Sequence, residues 1–296
     1  MTYSAKLRRL LQVLPFGLLF RVYSFVWSAI LLRQHDGQRS ALTIPDLGLS
    51  EELREAVERE GKALVEHRLA KMRRRANPIV AACLTKGPKA WERHFDKTGL
   101  EILTNRGTRG AIVIAPHLAT ALLVPGHLAT MGQQVATLQA IGESASQVST
   151  VLDMAMDPST PRPLRISRAD RWGVSRLMVI IRNGGIVILQ PDSFLQHEFD
   201  PQVPPGPGMA QVTFLGLEVR VPTVIARLAE KAKDPLIVLA LGSVDPLTSR
   251  GKIVYRQLAI NETDEPRYMQ RVYDEIGTAI LHNIDQWTQW QFFPEF

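Results

Sequence analysis

His117 is the residue best placed for chemistry in this chain, because of what precedes it. Ala111-Ile-Val-Ile-Ala-Pro-His117 is an apolar run of the kind that forms a buried strand, and it ends on the imidazole. Ligands of open α/β sheets collect at the carboxyl ends of such strands. Residues 118–131 read as a helix with Pro125-Gly126 as a kink or break, and its N-terminus would offer N–H groups to an oxyanion or phosphate. Histidine exchanges its proton near neutral pH, which suits a general base acting on a hydroxyl or amine. Such a base works best beside a carboxylate that fixes its tautomer and stabilises the imidazolium. Five positions on, about one helical turn away, stands Leu122, which cannot do this.

Asp192 is the second candidate. Ile186-Val-Ile-Leu is another buried-type strand, and Gln-Pro-Asp192 follows it as Ala-Pro-His117 follows the first. Asp192 is read either as a partner in the His117 pocket, orienting the base or holding acceptor groups, or as a turn or cap residue. Glu143, Asp153 and Asp157 are the other carboxylates within possible reach of His117. Arg162, Arg165, Arg168 and Arg171 form a basic run that reads as an anion clamp for phosphate or as a solvated loop. His127 has Gly132 five positions on and reads as a spectator, and Cys83 lies in an apolar run and reads as a buried thiol.

The elements around these residues alternate. Residues 50–75 form an amphipathic helix capped by Ser50, with Pro78 as its stop. Strands are expected at 132–139, 186–189, 212–214, 217–220, 236–241 and 251–255, and helices at 174–182, 223–232 and 266–290. That order argues an α/β fold with a sheet covered on both faces. Residues 7–33 are the most apolar long stretch, with Pro15, Gly17 and Arg21 interrupting and basic residues at both ends. They read as a membrane-associating helix lying among anionic headgroups, or as a helix packed on the core. Trp287, Trp290, Phe292 and Phe293 read as an interface belt or as packing for that helix. Residues 1–48 are taken as the amino-terminal segment and 49–296 as the α/β domain.

The net charge of +6 favours anionic partners, whereas zinc spacings, helix-turn-helix signals, aromatic–basic interleaving and nucleotide loops are all absent from the sequence. Nucleic acid and nucleotide cofactors are therefore not expected. One cysteine rules out an intrachain disulfide.

Several blocks in order resemble the bacterial lipid A late acyltransferase family, one of the lysophospholipid acyltransferase-like families. They are the apolar basic amino terminus, Gly110-Ala-Ile-Val-Ile-Ala-Pro-His117, Asn183-Gly-Gly-Ile-Val-Ile-Leu-Gln-Pro-Asp192, Val212-Thr-Phe-Leu-Gly216, residues 221–229, Pro235-Leu-Ile-Val-Leu and Ile284-Asp-Gln-Trp287-Thr-Gln-Trp290. The resemblance implies a mixed sheet covered by helices and transfer of a fatty acyl group from an acyl carrier protein or acyl-CoA thioester to a hydroxyl or amine of a lipid-like acceptor. It implies a peripheral or single-helix anchored enzyme at the cytoplasmic face of the inner membrane, with no metal or redox cofactor. His117 and Asp192 would be catalytic, and Arg162, Arg165, Arg168 and Thr120 would bind substrate or its anions. The chain departs from the family at Leu122, where the family has Asp or Glu, at Ala119-Thr120 in place of Gly-Asn, and at Ser193 in place of Gln. These departures leave a second expectation open: a degenerate acyltransferase fold that serves as a lipid- or carrier-binding or membrane-anchoring subunit.

Overall fold

The computed structural model describes residues 7, 10–35, 44, 48–121, 123–139, 163–167, 172–193, 195, 202–245, 247–248 and 250–290. Leu122, Glu143, Asp153, Asp157, Arg162, Arg168, Arg171, Phe292 and Phe293 lie outside them.

The architecture is α/β, a mostly parallel mixed sheet flanked by helices. Among the described residues the strands are β1 (Phe95–Thr98), β2 (Ala111–Ile114), β3 (Val135–Gln139), β4 (Leu164–Ser167), β5 (Ile186–Leu189), β6 (Met209–Phe214), β7 (Leu217–Pro222), β8 (Leu236–Val244) and β9 (Gly251–Gln257). Seven form the main sheet in the order β1-β9-β8-β2-β5-β3-β4, and β6 and β7 form a separate hairpin. β8, β2, β5, β3 and β4 run parallel, and β9 turns back antiparallel on β8 with β1 beside it. β2 and β5 are buried on both faces, as central parallel strands must be, and this explains their unbroken apolar runs.

The helices are α1 (Phe16–His35), α2 (Glu51–Glu60), α3 (Lys62–Lys86), α4 (Pro88–His94), α5 (Glu101–Thr104), α6 (Leu123–Thr130), α7 (Gly173–Arg182), α8 (Val224–Lys231) and α9 (Glu265–Leu281). One core, on the face of Ile112, Val187 and Leu239, holds α7, α8, α9, the hairpin, Trp287 and Trp290. The other, on the face of Val113, Ile188 and Val238, holds α1, α4, α6 and the second half of α3.

Three expectations change. The helix expected over 50–75 begins at Ser50, whose hydroxyl accepts from Leu53 N–H, but breaks at Gly61, where φ is +85°. It then restarts and runs through Pro78 to Lys86. An interior proline costs about 3 kcal/mol. Burial of Ile79, Val80, Cys83 and Leu84 against the sheet offsets that cost. The last helix stops at Leu281, where Asn283 Nδ2 caps the Ala279 carbonyl at 2.9 Å, so Trp287 and Trp290 belong to a turn-rich tail. Both tryptophans are buried in the core opposite α1, and so form neither an interface belt nor a seat for that helix. Finally, α1 docks on α3 through Leu19 and Tyr23, whose hydroxyl meets Thr85 Oγ1 at 2.8 Å. It packs on the core along one face and leaves Leu18 and Phe25 exposed, and among the described residues no helix is long and apolar enough to cross a membrane.

Candidate active site

β2 and β5 are neighbours in register, Ile114 opposite Leu189, and three residues beyond each lie His117 and Asp192. Parallel pairing with equal overrun puts the two side chains together at the carboxyl edge of the sheet. His117 Nδ1 lies 2.9 Å from Asp192 Oδ1, and the His117 backbone N–H donates to Oδ2 at 2.8 Å. A carboxylate only accepts, so Nδ1 carries the proton and the Nε2 lone pair is left to act as a base. The Asp192 carboxylate is fully buried while the His117 side chain is 16% exposed. The acid is therefore shielded from water and the base is reachable.

Asp192 sits in the short 3₁₀ turn Pro191–Ser193. Tyr273 from α9 donates its hydroxyl to the Pro191 carbonyl at 3.0 Å, which pins that turn. Burial, and then the charge of Asp192, push the Tyr273 phenol well above its ordinary pKa and keep it a neutral donor. Ser193 Oγ lies 3.2 Å from Nδ1 and 3.3 Å from Nε2, which puts a hydroxyl at the edge of the ring.

The tail 286–288 closes the other side. Trp287 Nε1–H donates to Asp192 Oδ2 at 3.1 Å, and Thr288 N–H and Oγ1–H both donate to the His117 carbonyl at 2.9 Å. Ala119 N–H donates to the Gln286 carbonyl at 2.7 Å. None of these tail residues was singled out as part of the site from sequence. The available signal was that a buried indole N–H needs an acceptor.

The residues after His117 differ from expectation. They form a tight turn with Ala119 at φ +27°, and the helix starts only at Leu123. The amides of Leu118, Ala119, Ala121 and Leu123 are spent on Pro116, Gln286, Leu118 and Thr120 carbonyls. They are not the anion-binding helix end that the sequence suggested. Thr120 is fully buried, and its Oγ1 has no hydrogen-bond partner among the described residues. It packs against β8, where a Cβ on Gly242 would come within 2.3 Å of Thr120 Oγ1 and 2.9 Å of its backbone. Gly242→Ala is therefore expected to displace the turn beside His117. A loss of about 1–3 kcal/mol in denaturant unfolding is predicted, since such overpacking cannot relax through backbone.

Arg165 lies on the edge strand β4, exposed and in register with Val113 across β3 and β5. Three strand spacings separate it from β2, roughly 14 Å, so the structure does not bring it to the dyad. His127 is buried, with Nδ1 3.0 Å from the Tyr255 hydroxyl and its ring tilted against Trp91, in keeping with its reading as a spectator. Cys83 is likewise buried, and burial raises its thiol pKa. A small apolar cavity of about 10 Å³ beside Pro191, lined by Leu138, Leu189, Val224 and Tyr273, has room for about one water. Among the described residues no group of His, Cys, Asp and Glu could hold a metal ion.

No family model matches the chain, and no curated protein is significantly similar to it.

Proposed function

We propose that the chain is an acyltransferase of the lipid A late acyltransferase type in which Asp192, from the neighbouring strand, replaces the acid absent at Leu122. The observation that carries this reading is the 2.9 Å contact between Asp192 Oδ1 and His117 Nδ1, with Oδ2 anchored to the His117 amide. In the proposed reaction His117 Nε2 takes the proton of an acceptor hydroxyl or amine as its oxygen or nitrogen attacks the thioester carbonyl. The tetrahedral intermediate then collapses with C–S cleavage. The leaving thiolate takes the proton back from the imidazolium, giving an ester or amide and a free carrier thiol. The chemistry calls for no metal or redox group. Acyl carrier protein or acyl-CoA is the proposed donor, and Arg162 and Arg168 are the proposed anion-binding residues.

The lipid-like acceptor and a peripheral seat on the cytoplasmic face of the inner membrane are part of the same proposal. Supporting them are the side chains of Leu7, Leu10, Val13, Leu18 and Phe25, all exposed at the amino terminus of a chain with net charge +6. A second reading, the degenerate fold as a lipid- or carrier-binding subunit, is favoured by the amides already spent within the turn.

The test presents acyl-carrier-protein and acyl-CoA donors with a mixed lipid extract and follows products by mass spectrometry. A new acylated product is expected with the wild-type protein and is expected to vanish in His117→Ala. Donor or lipid binding without any product would select the second reading.

A further inference from the structure

We infer that Trp287 is a positioning residue for the dyad: its indole N–H holds Asp192 so that one carboxylate oxygen faces the His117 ring. This rests on the dyad proposed above. Asp192 Oδ2 accepts from two donors, the His117 amide at 2.8 Å and Trp287 Nε1 at 3.1 Å, and Oδ1 is left for Nδ1 at 2.9 Å. With only the amide the carboxyl group could pivot about that one bond. The second donor, on a different segment of chain, fixes its plane. The indole is itself held fast. Trp287 is fully buried, its backbone bridges Leu118, and its ring stacks edge-on with Trp290 and Phe214. The residues on either side also hold the turn of the base: Gln286 O accepts from Ala119, Thr288 donates twice to the His117 carbonyl, and Gln286 Oε1 accepts from Val244 N–H of β8 at 3.1 Å. One tail segment thus touches both members of the dyad and the strand beside them. Trp290, by contrast, donates its N–H to the Ile284 carbonyl within the tail and serves as a control.

Trp287→Phe keeps an aromatic ring in the core and deletes only the N–H. It is compared with wild type, Trp290→Phe and Asp192→Asn on the full chain. Two readouts are used. The first, which needs no substrate, is the pair of His117 ring-nitrogen NMR signals at one fixed pH, which report the tautomer and the Nδ1–Asp192 hydrogen bond. In Trp287→Phe the carboxyl group loses one of its two Oδ2 donors, so the His117 Nδ1 signal is expected to move from its wild-type position. Trp290→Phe is expected to overlay wild type. The second readout is acyl transfer, where kcat is expected to fall about tenfold with KM for the thioester unchanged. A folded Trp287→Phe whose His117 ring-nitrogen signals overlay wild type would overturn the inference. Should that variant fail to fold, the Trp287 indole N–H resonance decides. It must move in Asp192→Asn while that of Trp290 stays, and a Trp287 signal that ignores the substitution would refute the contact. A moved His117 signal in a protein that transfers no acyl group would retain the positioning role and discard the acyltransferase reading.

Discussion

Asp192→Asn is expected to lower acyl transfer by 10³–10⁴ while leaving the fold intact. The direction follows from the donors around the side chain. His117 N–H and Trp287 Nε1–H both point at the Oδ2 position, so the amide must place its oxygen there. Its NH₂ then faces His117 Nδ1, where a carboxylate oxygen sat at 2.9 Å. The ring is forced to accept at Nδ1 and carry its proton on Nε2, the wrong tautomer for a base. The same exchange in the serine-protease template costs on the order of 10⁴, about 5 kcal/mol of transition-state stabilisation. The amide nearly matches the carboxyl in shape and keeps the two Oδ2 bonds, so thermal unfolding should stay within a few degrees of wild type. Purified-protein kinetics beside a melting curve checks both halves.

The second large effect is on acid stability and comes from a histidine outside the site. Burial, with a smaller push from Lys97, holds His127 down at a pKa of about 3 against an ordinary 6.5. The folded protein therefore keeps His127 neutral where the unfolded chain protonates it. The stability this lends is complete above pH 6.5 and is lost progressively as pH falls towards 3. The slope is up to about 1.4 kcal/mol per pH unit, roughly 5 kcal/mol across the window. Denaturant unfolding of wild type and His127→Gln at intervals from pH 7 to 4 tests this. The glutamine keeps a partner for the Tyr255 hydroxyl, and its curve is expected to be flatter by about 1 kcal/mol per unit. Parallel curves would show that His127 does not titrate in this range.

The parts of the site that sequence made legible are those written in short apolar runs. Residues 111–115 and 186–189 announce central parallel strands, because a strand covered on both faces has no polar positions, and each is followed within two residues by a proline and then by His117 or Asp192. That parallel made Asp192 a candidate beside His117. Whether the two strands are neighbours was not legible, since register is a property of the sheet. The edge strands were harder to read. Phe95-Asp-Lys-Thr98 and Leu164-Arg-Ile-Ser167 are short and mixed in polarity, and they are recognisable as strands only from their partners β9 and β3. Helix ends failed where tertiary contacts overrode local pattern. Pro78 sits inside α3 because the residues after it are core. Residues 282–290 leave the helix because their backbone and side chains are needed at His117 and Asp192. Leu122 offers no carboxylate, and the one that meets the His117 ring comes from 75 residues away in the chain and one strand away in space.

The central claim is that His117 and Asp192 act as one unit, and a double-mutant cycle on acyl transfer tests it most directly. Rates are measured for wild type, His117→Ala, Asp192→Asn and the double variant with the same donor and acceptor. The account predicts a large loss in each single variant and a double variant little worse than His117→Ala, because Asp192 works only through the ring. An Asp192→Asn variant that transfers acyl groups at the wild-type rate, or losses that multiply in the double variant, would contradict it.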